Sequence, residues 1–219
     1  MTFSQNLRGL RAASHFGPTL IVTAISFGFA NYYWWEGPAY VIAFGVFTGQ
    51  LVVGWSNDLY DYQDDLSHHR KNKPLVSGQL TKKSLQNWLK WVTPFSFIAN
   101  LFGPLGIKGG LVYMLGILCG ISYNFYFKFS VLSPLPYAIA FAALPSSIAI
   151  SKDITPPLWM WLGGALFGMA AHFINVIKDM KEDQISKIGG LPQRLGTKKS
   201  IWVALILIAL GIVVIIINS

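Results

Sequence analysis

Long apolar stretches, separated by short polar segments, make up most of this chain. Seven of them are close to the roughly 20 residues that a helix needs to cross the apolar core of a bilayer. They lie near residues 17–35, 38–56, 85–106, 109–127, 131–150, 156–177 and 200–217. An open sheet cannot satisfy its backbone hydrogen bonds in lipid, so each stretch is expected to be a helix. The pattern predicts an all-α, polytopic transmembrane bundle of about seven helices, forming one domain over residues 1–219.

The composition supports a membrane protein. Of the 219 residues, 53% are hydrophobic and 12% are charged, whereas a soluble domain has about 25% charged residues. Cys119 is the only cysteine, which excludes an internal disulfide and a cysteine metal site.

Basic residues are concentrated on one side of the predicted membrane. All but Lys108 and Lys152 of the 17 lysines and arginines lie in the N-terminal tail or around the segments that follow the second, fourth and sixth stretches. The positive-inside rule therefore predicts that the N-terminus and the segments after the second and sixth stretches are cytoplasmic, with the C-terminus on the other side. The basic residues responsible for the net charge of +8 then lie near anionic membrane lipids and a phosphorylated substrate. Because these partners account for the charge, no nucleic acid partner is expected.

Two acidic motifs follow the second and sixth stretches and share the spacing N-x-x-x-D-x-x-x-D. Their members are Asn57, Asp61 and Asp65 in the first motif and Asn175, Asp179 and Asp183 in the second. Four-residue steps place each set on one helical face, with Asp58 beside Asp61 and with Asp64 off that face, towards solvent. Carboxylates so placed repel one another, and divalent cations that prefer oxygen ligands relieve the repulsion. The motifs therefore predict a Mg²⁺ site that binds a polyphosphate.

A solvated acidic loop flanked by lysines is the alternative interpretation of these motifs. Seven of the nine acidic residues lie within them, and this concentration favours the metal site.

A short repeat supports pairing the two motifs. Thr81-Lys82-Lys83-Ser84 opens the third predicted helix, and the same four residues open the seventh at Thr197. The acidic motifs precede these segments at nearly equal distances, which predicts a four-helix duplication with the substrate site between the inner ends of the second and sixth helices. The duplication also predicts a helix after the seventh.

The residues resemble the intramembrane aromatic prenyltransferases of the UbiA family. That family's N-D-x-x-D-x-x-x-D motif is matched by Asn57, Asp58, Asp61 and Asp65, and its D-x-x-x-D motif by Asp179 and Asp183. The stretch 72–78 is similar to the family's D-K-P-L-x-x-G, with Asn72 in place of the Asp, and 191–196 is similar to L-P-x-R-L-G. The resemblance runs from about His15 to the C-terminus, and the family usually has nine helices.

The resemblance implies Mg²⁺-dependent transfer of a prenyl group from a prenyl diphosphate to a lipophilic acceptor within the membrane. An aromatic ring or quinone precursor is the favoured acceptor, and a glycerol phosphate lipid and a chlorin are the alternatives. The implied metal-binding residues are Asp58, Asp61, Asp65, Asp179 and Asp183, which together with Lys73 form the implied catalytic set. The implied substrate-binding residues are Asn57, Arg70, Lys73, Lys128, Tyr123 and Asn175. Further candidates are Trp55 and Tyr126, as aromatic faces for a cation, and His172, as a cavity residue.

Three other functions fit parts of the sequence. A terpene cyclase would use the same metal and diphosphate chemistry, and a catalytically inactive assembly subunit would explain fewer helices than the family has. A seven-helix transporter or receptor is disfavoured, because its charges belong at mid-membrane and because residues 200–219 contain no lysine for retinal. The surface that further helices would cover is expected to face lipid, with a homo-oligomer as the alternative.

Cysteine labelling in intact cells tests the predicted orientation, in a background where Cys119 is replaced. Cysteines in place of His68 and Lys187 are expected to be protected from a membrane-impermeant reagent, because basic residues hold both segments in the cytoplasm. A cysteine in place of Ser219 is expected to react. Labelling at position 68 or 187 from outside the cell would contradict the orientation.

Overall fold

The computed structural model describes residues 3–218, so the predicted position of Ser219 lies outside the described residues. Within this range the chain is helical and contains no β-strand. The α-helices are α1 (Phe3–Ala13), α2 (Phe16–Tyr33), α3 (Glu36–Ser67), α4 (Lys82–Phe102), α5 (Gly106–Phe125), α6 (Leu135–Ile150), α7 (Gly164–Ile185) and α8 (Leu191–Asn218). A 3₁₀ turn covers Phe127–Phe129, a π-helical turn at Trp159–Gly163 leads directly into α7, and α8 is kinked at Gly196.

The prediction of an all-α, multi-pass membrane protein is confirmed. Each of the seven apolar stretches lies largely within one helix, from α2 to α8 in order. By length and apolar composition, four helices of the described chain are able to cross a membrane: α3, α5, the helix from Trp159 to Ile185, and α8. The pair formed by α1 and α2, bent by 72°, meets the same criterion as one broken span, and α6 is apolar but has only 16 residues.

The helix α1 was not predicted, because its 11 residues include two arginines and are too few to span a bilayer. Its Leu10 and Ala13 instead pack in an apolar core under the end of α3. The buried members of this core are Leu10, Ala13, Trp55, Leu75, Leu80 and Leu85. Burial of these side chains holds α1, α3, the start of α4 and the segment between α3 and α4 together.

The chain divides between Ile107 and Lys108 into two units. In the N-terminal unit, α3 packs against α2 and α4. In the C-terminal unit, α7 packs against α6 and α8. In each unit the helix with the acidic motif therefore packs against the helix before it and the helix after it, in agreement with the predicted duplication. A single domain over the whole chain stays a prediction.

Small residues bring the helices of each unit into close contact. In the N-terminal unit, the buried Asn100 side chain of α4 donates hydrogen bonds from Nδ2 to the Gly45 carbonyl of α3 (3.1 Å) and to the Ser96 carbonyl (2.7 Å). A Cβ atom on Gly45 would lie 2.6 Å from the Asn100 Oδ1 atom. Lipid tails are as apolar as the helices, so such close packing and polar contacts hold membrane helices together.

The corresponding contact in the C-terminal unit is a G-x-x-x-G pattern formed by Gly164 and Gly168 of α7. A Cβ atom on Gly164 would lie 2.8 Å from the Phe141 carbonyl oxygen of α6. A Cβ atom on Gly168 would overlap the Tyr137 carbonyl oxygen and lie 2.7 Å from the Phe141 Cβ atom. These two glycines therefore set the distance between α6 and α7.

Replacing Gly168 with Ala is expected to destabilise the protein by about 1–3 kcal/mol, because the added methyl group has no space against α6. Thermal unfolding in detergent measures the effect. Gly28→Ala is the matched control, since a Cβ atom on Gly28 of α2 would have no atom of another helix within 4 Å. Ala also favours a helix. Equal unfolding temperatures for the two variants would contradict the close α6–α7 contact.

Candidate active site

The first acidic motif lies entirely on α3, which continues to Ser67. A helix of 32 residues is about 48 Å long, whereas the apolar core of a bilayer is about 30 Å thick. The helix is therefore long enough for its last turns, which carry the motif, to extend beyond the hydrocarbon. The helix ends at His68, whose backbone N–H donates to the Asp64 carbonyl at 3.1 Å, and His69 follows with a positive φ of 53°.

Asp58 is buried, with 2% of its surface exposed, and lies close to the side chains of Lys73 and His15. The Lys73 Nζ atom donates a hydrogen bond to the Asp58 Oδ1 atom at 3.0 Å. The His15 Nε2 atom, from the turn between α1 and α2, lies 3.5 Å from the same oxygen. Asn57 and Asp61 are half-buried.

Asp65 is also buried, with 2% of its surface exposed, and is paired with Arg70. The Arg70 Nη1 atom donates to the Asp65 Oδ1 atom at 2.8 Å. The Arg70 Nη2 atom lies 3.7 Å from an oxygen of Asp64, whose side chain is 39% exposed. Asp64 is thus the more exposed of the two, as its position off the motif face predicts.

The segment between α3 and α4 supplies both cations. Its fold is maintained by hydrogen bonds from the Ser77 backbone N–H to the Lys73 carbonyl (2.9 Å) and from the Leu80 N–H to the Pro74 carbonyl (3.1 Å). Leu75 and Leu80 anchor it in the apolar core. This anchoring fixes the point from which the Lys73 side chain reaches Asp58.

The charge of Lys73 is maintained by its neighbours. Burial alone would lower the pKa of the Lys73 ammonium group. The Asp58 carboxylate, with further contributions from Asp65 and Asp61, outweighs burial and holds the pKa above its usual 10.5. Lys73 is therefore a cation throughout the physiological pH range.

The second acidic motif lies on α7, where Asn175 and Asp179 are exposed and Asp183 is half-buried. The Gln193 Nε2 atom donates a hydrogen bond to the Asp183 Oδ2 atom at 2.7 Å. The Lys178 Nζ atom lies 3.4 Å from the Asn175 Oδ1 atom. An amide group therefore donates to the half-buried carboxylate of the second motif, whereas ammonium and guanidinium groups donate to the buried carboxylates of the first.

Ser133, buried before α6, connects α7 to the segment that carries Gln193. Its hydroxyl group accepts a hydrogen bond from the Leu191 backbone N–H (3.0 Å) and lies 3.0 Å from the His172 Nε2 atom. The backbone of Lys128, in the 3₁₀ turn, lies close to Gly190, since a Cβ atom there would be 3.0 Å from the Lys128 carbonyl oxygen. The Lys128 side chain is buried.

An aromatic cluster includes His172, which lies about two turns before Asp179 on α7. The ring centroids of Tyr123 and Tyr137 are 5.2 Å apart, and the His172 ring is 5.4 Å from Tyr123 and 4.8 Å from Tyr137. The Tyr137 side chain forms a hydrogen bond with Asn175. This cluster combines two residues that the sequence singled out, Tyr123 and His172, with Tyr137, which it did not.

The other aromatic candidates have different environments. Trp55 is buried in the core with α1, and its indole N–H donates to the Leu10 carbonyl at 3.0 Å. Trp55 is therefore a packing residue and not, as predicted, an aromatic face for a cation. Tyr126 is 75% exposed, far more than the ring of an enclosed site would be.

The sequence did not single out several residues that contact the predicted set, among them His15, Ser133, Tyr137 and Gln193. Gln193 lies in the L-P-x-R-L-G stretch and His15 at the start of the region of resemblance, and both were thus within reach of the sequence. Within residues 3–218, no three His, Cys, Asp or Glu side chains gather into a metal site on their own. The roles given to the site residues stay predictions.

Comparison with known proteins places this chain in a family. The UbiA prenyltransferase family profile matches residues 16–218. No match was found among curated protein sequences.

Three solved structures share the fold. A UbiA homolog from Archaeoglobus fulgidus bound to GPP and Mg²⁺ has a TM-score of 0.74 and 17% identity, over 96% of this chain and 75% of that one. A digeranylgeranylglyceryl phosphate synthase has a TM-score of 0.69 and 18% identity, over 95% and 75%. A UbiA homolog from Aeropyrum pernix K1 has a TM-score of 0.69 and 16% identity, over 94% and 76%. The fold agrees with the family profile, and this chain belongs to the UbiA prenyltransferase family.

Proposed function

We propose that this protein transfers a prenyl group from a prenyl diphosphate to a lipophilic acceptor within the membrane, in a reaction that requires Mg²⁺. We favour an aromatic ring or a quinone precursor as the acceptor, with a glycerol phosphate lipid and a chlorin as the alternatives. The observation that carries the proposal is the pairing of Asp58 with Lys73 and of Asp65 with Arg70 at the end of α3. The family membership and a homolog that binds GPP and Mg²⁺ support it.

The side chains of both motifs fit a divalent cation. Mg²⁺ is bound in proteins by one or two carboxylates together with substrate phosphates, so a preformed cluster of three acidic residues is not required. Asp58, Asp61 and Asp65 would hold it on α3, and Asp179 and Asp183 on α7. When bound, Mg²⁺ neutralises phosphate charge and stabilises the leaving pyrophosphate.

Lys73 and Arg70 bring positive charge to the same end of α3. Their partners Asp58 and Asp65 fix the position of each cation before substrate arrives. Fixed cations of this kind stabilise the charge that develops on a departing diphosphate at little reorganisation cost. Because its pKa is raised above 10.5, Lys73 keeps its positive charge and is a poor proton donor at neutral pH.

The cluster of Tyr123, Tyr137 and His172 supports the second half of the reaction. Departure of the diphosphate leaves positive charge on the allylic carbon of the prenyl group. Aromatic faces attract a cation, and a packed aromatic cluster excludes the water that would quench it. The lipid tail of the donor lies among the apolar helices, and the motifs face the cytoplasm.

The metal requirement is tested by Asp61→Ala and Asp179→Ala. Each substitution is expected to lower turnover of a prenyl diphosphate at least about 100-fold. The double variant is expected to lose little more, because residues that act on one diphosphate are not additive. EDTA is expected to abolish the wild-type activity and added Mg²⁺ to restore it.

Glu182→Ala is the matched control, since Glu182 is an exposed acidic residue of α7, the helix that carries Asp179. Radiolabelled prenyl diphosphates and a membrane extract provide the assay, and identification of the labelled product separates transfer from cyclisation. Substantial Mg²⁺-dependent activity in either single variant would refute a common role for the two motifs.

Lys73→Met is expected to destabilise the protein by about 2–3 kcal/mol, since it leaves Asp58 buried without that cation. The expected cost is below that of a fully buried pair because the Lys73 side chain is 22% exposed. Adding Asp58→Asn is expected to recover most of the loss, whereas exposed Lys71→Met should change little. Thermal unfolding without metal measures all four proteins.

The same pair has a defined pH dependence. Because folding raises the pKa of Lys73, its contribution to stability is complete below about pH 10.5 and is lost only as the pH rises through the higher value of the folded protein. The stability difference between wild type and Lys73→Met should therefore be constant from about pH 7 to 9. A difference that falls within this range would show that Lys73 is not held in its charged form.

A further inference from the structure

Gln193 makes one strong contact and leaves one polar atom without a partner. Its Nε2 atom donates to the Asp183 Oδ2 atom at 2.7 Å, a short distance typical of a hydrogen bond to a charged acceptor. Its Oε1 atom is buried and has no hydrogen-bond partner. A buried polar atom without a partner is costly and calls for an explanation.

The orientation of the Gln193 amide explains why its Oε1 atom has no hydrogen-bond partner. Rotating the amide by 180° would turn the Oε1 atom towards the Asp183 carboxylate, where two acceptors would repel each other. Gly190 lies directly against the amide, since a Cβ atom on Gly190 would be 2.6 Å from the Gln193 Oε1 atom. The side chain is thus confined between Gly190 and Asp183, with its donor facing the carboxylate.

Hydrogen bonds other than the Gln193–Asp183 contact anchor the backbone around Gln193. The Leu191 N–H donates to the Ser133 hydroxyl group at 3.0 Å. The Arg194 Nε atom donates to the Gly189 carbonyl at 2.7 Å, and the Arg194 backbone N–H donates to the Gly190 carbonyl at 3.1 Å. A change confined to the end of the Gln193 side chain should therefore leave this segment in place.

The chemical character of Gln193 distinguishes it from the corresponding residues of the first motif. There the buried carboxylates of Asp58 and Asp65 accept hydrogen bonds from the positively charged groups of Lys73 and Arg70. A neutral amide donor fixes the direction of a carboxylate without cancelling its charge. Partners of this kind orient metal ligands, and losing them typically weakens metal binding 10- to 100-fold.

We propose that Gln193 is a positioning residue that orients the Asp183 carboxylate for a divalent cation. The inference rests on the proposed function, in which Asp183 is a metal ligand. Gln193 acts through its hydrogen bond to Asp183.

Mn²⁺ is the probe, and its binding to the full-length protein in detergent is followed by electron paramagnetic resonance without substrate. Gln193→Met keeps the length and approximate volume of the side chain but removes the donor. It is expected to weaken Mn²⁺ binding about 10-fold. Adding Gln193→Met to Asp183→Asn should cause no further loss, because the donor then has no ligand to orient.

Gln184→Met is the matched control, since Gln184 is exposed and directly follows Asp183; its Mn²⁺ affinity should equal that of wild type. Metal-free unfolding temperatures check the folding of each variant. Gln193→Asn, which keeps the amide but is one methylene shorter, is the second variant and should also bind Mn²⁺ more weakly. In the activity assay, the Mg²⁺ concentration for half-maximal rate should rise about 10-fold for Gln193→Met, with the KM of the acceptor unchanged.

The outcomes are distinct. Wild-type Mn²⁺ affinity in both Gln193 variants, together with weakened binding in Asp183→Asn, would overturn the role of Gln193 and leave the proposed function standing. Mn²⁺ binding that is unaffected by Asp183→Asn would overturn the metal-ligand assignment and the inference with it.

Discussion

The burial of Asp58 and Asp65 at the end of a membrane helix is the condition on which the N-terminal unit depends. A carboxylate that is buried away from water must be paired or neutralised. Asp58 and Asp65 accept hydrogen bonds from Lys73 and Arg70, which lie in the segment after α3. Lys73 reaches back only because Leu75 and Leu80 fix its segment in the apolar core. The packing of α1 against the same core is therefore part of how the carboxylates are neutralised.

The second motif meets the same requirement in a different way. Its outer residues, Asn175 and Asp179, are exposed to solvent and need no buried countercharge. Asp183 is half-buried and accepts a hydrogen bond from the side-chain amide of Gln193. The same spacing therefore lies in two environments: cationic groups donate to two buried carboxylates at the first motif, and an amide donates to one half-buried carboxylate at the second.

The apolar pattern predicted α2 to α8 because seven stretches of about 20 residues leave few alternatives in lipid. It missed α1, since a short helix with two arginines has no such signature. Four-residue spacing identified the carboxylates, because neighbours on a helix face are fixed by geometry. The contact of Gln193 with Asp183 joins the start of α8 to the end of α7, and it follows from tertiary packing that spacing does not encode. The same limit applies to Trp55, whose indole bonds to α1, a helix that was not expected.

The geometry of the aromatic cluster depends on a packing contact between α6 and α7. Tyr137 belongs to α6 and His172 to α7, so the 4.8 Å between their rings depends on the distance between these helices. That distance is set by Gly168, which lies one turn before His172 and against the Tyr137 carbonyl. The contact between the Tyr137 and His172 rings therefore requires a residue without a side chain one turn away, and the G-x-x-x-G pattern common in membrane helices supplies it.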